Sequence, residues 1–207
     1  MTPGDADGSA PDRSWPGFYA YVTGREPRPL LLRGLALLEE AGQRAGEAVE
    51  IGFGDGIETV ELLRRGWRVH AIDPTPEAAT LLRARLPPAA EGRLTIETAR
   101  AQDVALAPFD LLWAGFAMPF MDRPSFVRFW AAVRGALRPG GGVIVNVFGI
   151  RDTWADRSEM TFVDVDDAHR LVDGLAVLAL DEIEFDGESF AGRKHWHVFD
   201  IVARRPR

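Results

Sequence analysis

The chain predicts an α/β fold: a doubly wound, mostly parallel sheet of seven strands whose last strand runs antiparallel. Three observations lead there. Short apolar runs alternate with segments of helical periodicity five times along the chain. Three glycines at alternate positions, Gly52, Gly54 and Gly56, join the first such run to the helical segment behind it. The last two apolar runs follow one another with only a loop between them, which gives a hairpin and hence one reversed strand.

Taken in order, residues 1–14 are Pro, Gly, Asp and Ser with no apolar stretch and are expected to form a disordered tail. Trp15, Phe18, Tyr19 and Tyr21 then place four aromatics within seven positions, too dense for a linker. Leu30, Leu31, Leu35, Leu38 and Ala41 recur at helical spacing, so a helix is expected from about Pro29 to Ala41, ended by Gly42. Residues 15–43 read as an N-terminal helical lid segment and 44–207 as the domain proper. Ala48 to Ile51 is the first strand, Ile57 to Arg65 a helix, and Trp67 to Ile72 the second strand with Asp73 at its end. A Pro74-Thr75-Pro76 turn leads into a helix from about Glu77 to Leu86, stopped by Pro87 and Pro88. Arg93 to Thr98 reads as the third strand, Ala101 to Asp103 as a loop, and Phe109 to Ala114 as a fourth strand buried on both faces. A helix over Ser125 to Leu137 is closed by Arg138, Pro139 and three glycines before a fifth strand, Val143 to Phe148. A short helix near Asp166 to Val172, with Asp164 as its N-cap, precedes the closing strands Leu175 to Phe185 and His195 to Ala203, joined by a loop of about nine residues.

A chain of 207 residues with 46% hydrophobic content supports one sizeable core. Acids outnumber Lys and Arg by 31 to 24, a net charge of -7, and no basic run supplies a footprint for nucleic acid. Cysteine is absent, which excludes disulfides, thiolate metal sites and a cysteine nucleophile. No apolar run approaches the length that crosses a bilayer, and the start lacks a signal-peptide pattern. A soluble, cytoplasmic protein, monomeric or homodimeric, with no membrane or nucleic-acid partner is expected.

The glycine segment Gly52-Phe53-Gly54-Asp55-Gly56 is G-x-G-x-G, and not the G-x-G-x-x-G of dinucleotide sites. Glu50 and Asp55 flank it with carboxylates, which suit a cationic ligand better than a diphosphate. With Asp73 about 20 residues on, this stretch resembles the first motif, E/D-x-G-x-G-x-G, of the class I S-adenosylmethionine-dependent methyltransferases. The resemblance covers about residues 45 to 150 and implies a Rossmann-like fold. It is nearest to small bacterial enzymes of the tellurite-resistance and thiopurine type, though Phe53 stands where those often carry cysteine. It implies that Glu50, Gly52, Phe53, Gly54 and Gly56 hold the methionine portion, that Asp73 and Pro74 meet the ribose, and that Gln102 and Asp103 meet the adenine. It also implies that Trp113 to Phe116 wall the cofactor off from the acceptor, and that one or two of the N-terminal aromatics, Tyr19 among the candidates, roof the site, the alternative being that they pack the extension onto the domain.

In open α/β sheets ligands bind beyond the carboxyl ends of the parallel strands, and a reversed last strand brings its beginning to that edge. Lys194 and His195 are therefore expected near the site and Ala203 far from it. His195 is the candidate general base, with His197 on the same strand face and Trp196 on the other. Phe116, Phe120 and Trp113 are candidates to face a sulfonium. Arg151, Trp154, Arg193 and His197 are candidates to bind an anionic acceptor. A metal site is not expected, because the two histidines show no carboxylate partner at ligand spacing. Methyl transfer to a small molecule is the expected function. The alternatives are an NAD(P)-dependent oxidoreductase on a similar sheet and a protein that binds S-adenosylmethionine without turnover.

Overall fold

A computed structural model describes Gly17 and residues 24–90 and 92–207. The expected tail, and the aromatics Trp15, Phe18, Tyr19 and Tyr21, lie outside the described residues. The order of elements is α1 (Pro29–Glu40), β1 (Glu47–Ile51), α2 (Ile57–Arg64), β2 (Arg68–Asp73), α3 (Pro76–Arg85), β3 (Leu94–Thr98), β4 (Phe109–Ala114), α4 (Arg123–Ala136), β5 (Leu137–Gly149), β6 (Phe162–Val163), α5 (Val165–Leu171), β7 (Ala176–Ser189) and β8 (Gly192–Arg204). The sheet runs β3-β2-β1-β4-β5-β8-β7, with the two-residue β6 pairing on β5. The strands from β3 to β5 pair in parallel, and β8 is antiparallel to both β5 and β7. The reversed strand thus sits beside the fifth, as the family resemblance implies.

Alternation along the central strands gives the molecule two cores. Val49, Ile51, Leu112, Val143 and Val145 face α4 through Phe126, Phe129, Trp130 and Val133. Ala48, Leu111, Trp113 and Ile144 face the other way, onto Leu31, Leu35 and Leu38 of α1, Leu62 of α2 and Leu82 of α3. Strands buried on both faces are what a parallel sheet between helical layers demands. Chain order reverses between β1 and β4, so the crevice beyond their carboxyl ends is the switch point where α/β sheets place ligands.

Four local readings change. Residues 101–103 form a 3-10 turn and not an open loop. Helix α4 begins at Arg123, because the Asp122 side chain accepts from Ser125 N at 2.7 Å and caps it there. The glycines expected to close α4 belong to β5, where Gly142 pairs with Leu111 on one side and Arg204 on the other. The closing hairpin turns over Phe190 and Ala191 alone, since Ser189 pairs with Gly192, in place of the expected nine-residue loop. Asp164 caps α5 as expected, accepting from Asp167 N at 2.7 Å.

Candidate active site at the carboxyl edge of the sheet

The chain leaves β1 through Gly52, Gly54 and Gly56 at φ of +67°, +54° and +80°, a left-handed path that side-chain-bearing residues rarely take. A Cβ on Gly52 would stand 2.6 Å from Ala117 Cβ, and one on Gly56 2.6 Å from Leu82 Cδ1. Two of the three glycines therefore admit neighbouring elements, the loop after β4 and helix α3, and are not there only to admit a ligand. Phe53 points into the core beside α1 and α3, so its backbone and not its ring shapes the turn. The Asp73 carboxylate closes the turn from the side. One oxygen accepts from Gly54 N at 3.0 Å and the other from Thr75 N at 2.8 Å. Pro74 is exposed behind it. Ala99 N donates to Asp73 O at 3.1 Å, which brings the turn holding half-buried Gln102 and exposed Asp103 to the same edge.

The carboxylates beside the turn are not alike. Glu50 is buried, accepts from the Thr59 hydroxyl at 2.6 Å and leaves Oε1 without a hydrogen-bond partner among the described residues. Burial pushes its pKa up to about 8 against the opposing Thr59 hydrogen bond, so near pH 7 it favours its neutral form. Asp55 is drawn upward by burial, against the pull of Arg25 and Arg85, which lie 3.6 and 3.3 Å away. Burial also raises Glu58, but a paired contact with Arg25 and the Arg28 N–H, 3.0 Å from Oε1, outweigh it and hold Glu58 below the usual range. The expectation that Asp55 welcomes a cation is thus corrected: arginines already neutralise it. The first turn of α2, where a dinucleotide's pyrophosphate would dock, is taken by the Arg25–Glu58 ion pair.

Beyond Gly52 lies the β4 loop. Phe116 sits at φ +54° with its N–H donated to Asn146 Oδ1 at 2.6 Å, and Asn146 is a buried residue of β5. Its ring lies 5.8 Å from Phe148 and 5.9 Å from Trp196, with the Arg28 guanidinium 4.9 Å above. Phe120, 39% exposed, and Trp154 continue the cluster at 6.2 and 6.1 Å from Phe148. Trp113 takes no part in it and packs in the core on the α1 side. Inside the cluster is an ammonium. Lys194 Nζ stands 3.6 Å from the Trp154 ring, 4.0 Å from Trp196 and 4.8 Å from Phe148, and 2.5 Å from Asp152 Oδ1. Burial lowers its pKa, opposed by Asp152.

The histidines lie on the other face of β8. His195 Nδ1 meets Asp186 at 2.9 Å and Nε2 meets Glu184 at 3.1 Å. Asp186 and Glu184 raise its pKa, which favours the protonated ring over the neutral ring a base requires. His197 is buried, accepts from Arg151 N at 3.0 Å and meets Glu182 at 2.9 Å. Arg151 ion-pairs with Glu182 and Glu184. The carboxylates that spacing did not reveal come from across the hairpin, and Glu182, Glu184 and His197 bring one ligand atom each within 4.8 Å of one another. Arg151 already supplies the positive charge among them. Arg193 is exposed on the same strand. The structure therefore gathers Gly52 to Gly56, Asp73 and Phe116 at one edge, with Phe120 and Trp154 beside them. Arg151, His195 and His197 form a separate charged ladder.

Residues 48–141 match the family model for a methyltransferase domain. This stretch is similar to a methyltransferase domain. Over 80 residues the chain is 34% identical to magnesium-protoporphyrin O-methyltransferase of Rhodobacter capsulatus, which spans 39% of this chain and 36% of that one. The chain shares its fold with N-methyltransferase NodS of Bradyrhizobium japonicum WM9, solved with S-adenosyl-L-homocysteine: TM-score 0.63, 18% identity, 87% of this chain and 89% of that one. TehB of Haemophilus influenzae gives a TM-score of 0.65 at 14% identity over 82% of this chain and 61% of that one. The residues present fit S-adenosylmethionine, the cofactor that the sequence resemblance implies. Glu50 offers a buried oxygen without a partner among the described residues, Asp73 ends β2 as a carboxylate, and the Arg25–Glu58 ion pair occupies the helix terminus that a diphosphate would need. Sequence reasoning passed over Arg25, Arg28, Glu58 and Asn146, and gave Phe148, Asp152, Lys194 and Trp196 a place at this edge but no role. Strand alternation puts Lys194 and Trp196 on one face, a signal the sequence does carry.

Proposed function

We propose that this chain moves a methyl group from S-adenosylmethionine to a small-molecule acceptor by in-line displacement. One observation carries the reading: the Asp73-tied glycine turn and the aromatic cluster adjoin through the β4 loop, which touches Gly52 through Ala117 and Trp196 through Phe116. In this reading the glycine turn and Glu50 take the methionine portion, Asp73 the ribose hydroxyls, and Gln102 and Asp103 the adenine. Phe116, Phe120 and Trp154 wall the acceptor, and the segment ahead of α1, fastened by Arg25, closes the mouth. The cofactor supplies an electrophilic methyl on a sulfonium. The protein's part is alignment, which can lower the barrier by roughly 7 to 11 kcal/mol, so no obligatory base is required. The acceptor in the name of the Rhodobacter capsulatus relative, magnesium-protoporphyrin, supports a small molecule over a nucleic acid.

The deciding experiment incubates the full chain with methyl-labelled S-adenosylmethionine and a panel of small phenols, carboxylic acids, amines and thiols, and measures S-adenosylhomocysteine and labelled product. Label transfer above the no-enzyme rate supports the reading. Cofactor binding with no transfer across the panel would leave a binding protein instead.

A further inference from the structure

Among the described residues Phe116 is the one side-chain-bearing residue at positive φ. A bulky residue there is strained, and such strain persists only where the surroundings hold it, typically at a functional site. Asn146 holds it. This side chain is 3% exposed and is the one polar group in the strand segment Val143-Ile144-Val145-Asn146-Val147-Phe148. Its Oδ1 accepts the Phe116 N–H at 2.6 Å, and its Nδ2 donates at 3.4 Å to Oδ1 of Asp200, the register partner on β8. A backbone N–H only donates and a carboxylate accepts, so both partners require the same orientation of the amide. A buried amide is costly unless bonded, and these two bonds account for its place in an apolar strand. The inverted backbone at Phe116 sends its neighbours to two sides. Ala117 presses on the glycine turn, where a Cβ on Gly52 would stand 2.6 Å from its own, while the Phe116 ring lies among Phe148 and Trp196. Ile144, Asn146 and Phe148 share one face of β5, which runs from the core under α1 to the aromatic cluster.

Resting on the methyl-transfer reading of the glycine turn, we propose that Asn146 is a positioning residue of the cofactor site: by holding Phe116 in its left-handed conformation it seats Ala117 on Gly52 and keeps the turn in the shape that receives the methyl carrier. Asn146 touches no ligand in this account. It acts through the Phe116 N–H, and Asp200 fixes the amide from behind. A turn packed this closely transmits a shift of the β4 loop directly to the backbone that faces the cofactor.

The test is isothermal titration of the full chain with S-adenosylhomocysteine, each variant held well below its melting temperature. Asn146→Leu keeps the size of the side chain and removes the acceptor, and should weaken binding about threefold or more. Asn146→Asp keeps the acceptor but sets a second carboxylate against Asp200, and should weaken binding as well. Combining Asn146→Asp with Asp200→Asn exchanges acid and amide and restores both hydrogen bonds, so the dissociation constant should return to within about twofold of wild type. A residue serving the fold alone would move melting temperatures and leave the constants of the folded variants equal. Either single variant, folded and binding as wild type does, overturns the proposal, and so does a weakening that the exchange fails to repair. Asn146→Asp and the exchange decide it even if Asn146→Leu does not fold. Wild type that binds no S-adenosylhomocysteine overturns the methyl-transfer reading and the proposal together; wild type that binds it, with constants insensitive to Asn146, overturns the positioning role only.

Discussion

Asp73 shows how much one side chain does here. Its two oxygens accept from Gly54 and Thr75, so it fixes the turn before it meets any ligand. Asp73→Asn keeps the shape but loses the charge and one acceptor; hydrogen bonds to a charged group are worth about 1.5 to 3 kcal/mol. The dissociation constant for S-adenosylhomocysteine should therefore rise roughly 10- to 100-fold by calorimetry, and an unchanged constant would remove Asp73 from the cofactor site. Glu50 gives a pH signature. Its folded pKa of about 8 lies above the ordinary 4.5, so the folded state binds its proton more tightly than the unfolded chain does. Its contribution to stability is greatest below pH 4.5 and is lost as pH rises toward 8. Glu50→Gln copies the neutral form, so melting temperatures should match wild type at acid pH and exceed it near pH 8. Parallel melting curves at every pH would contradict the assignment. Glu50, Gly52, Gly54 and Asp73 were all legible in sequence because they form one local motif. The neutralisation of Asp55 was not, because Arg25 and Arg85 each lie about 30 residues away along the chain.

At the scale of elements, the short segment ahead of α1 is fastened to α2 by the Arg25–Glu58 ion pair, whose side chains are 24% and 4% exposed. Arg25→Met leaves Glu58 buried without its ion-pair partner, held by the Arg28 N–H. Breaking a fully buried pair costs about 3 to 5 kcal/mol, and partial exposure of Arg25 reduces that to roughly 1 to 3. A drop of about 2 to 10 °C in melting temperature is expected, recovered in part by adding Glu58→Gln; a melting temperature equal to wild type would show that the segment is not anchored there. The β7–β8 hairpin teaches a different lesson. Residues 186–194 read as a loop because they are polar, yet Asp186 pairs with His195 and Glu188 with Arg193 in register. The ribbon's far end is largely exposed, so polarity there marks solvent and not a turn. The same cross-strand pairing makes His195 part of an acidic ladder. His195→Ala should leave cofactor affinity unchanged by calorimetry, and a tenfold or greater loss would bring it back to the site.

For the whole molecule, strand order and the direction of the last strand were readable because hydrophobic period and chain order together constrain an α/β sheet. Trp113 fell to the core for the same reason, since its place on β4 faces α1. The aromatic cluster was only half readable. Phe116, Phe120 and Trp154 sit at the expected edge, while Lys194 and Asp152 meet only once β8 lies beside β5. Everything turns on the β1–α2 bend taking a methyl carrier and its product in preference to a dinucleotide. Isothermal titration of the full chain with S-adenosylhomocysteine and with NAD⁺ measures this directly. Saturable heat from S-adenosylhomocysteine and none from NAD⁺ is the result the fold and the site require. Saturation by NAD⁺ with no heat from S-adenosylhomocysteine would contradict them.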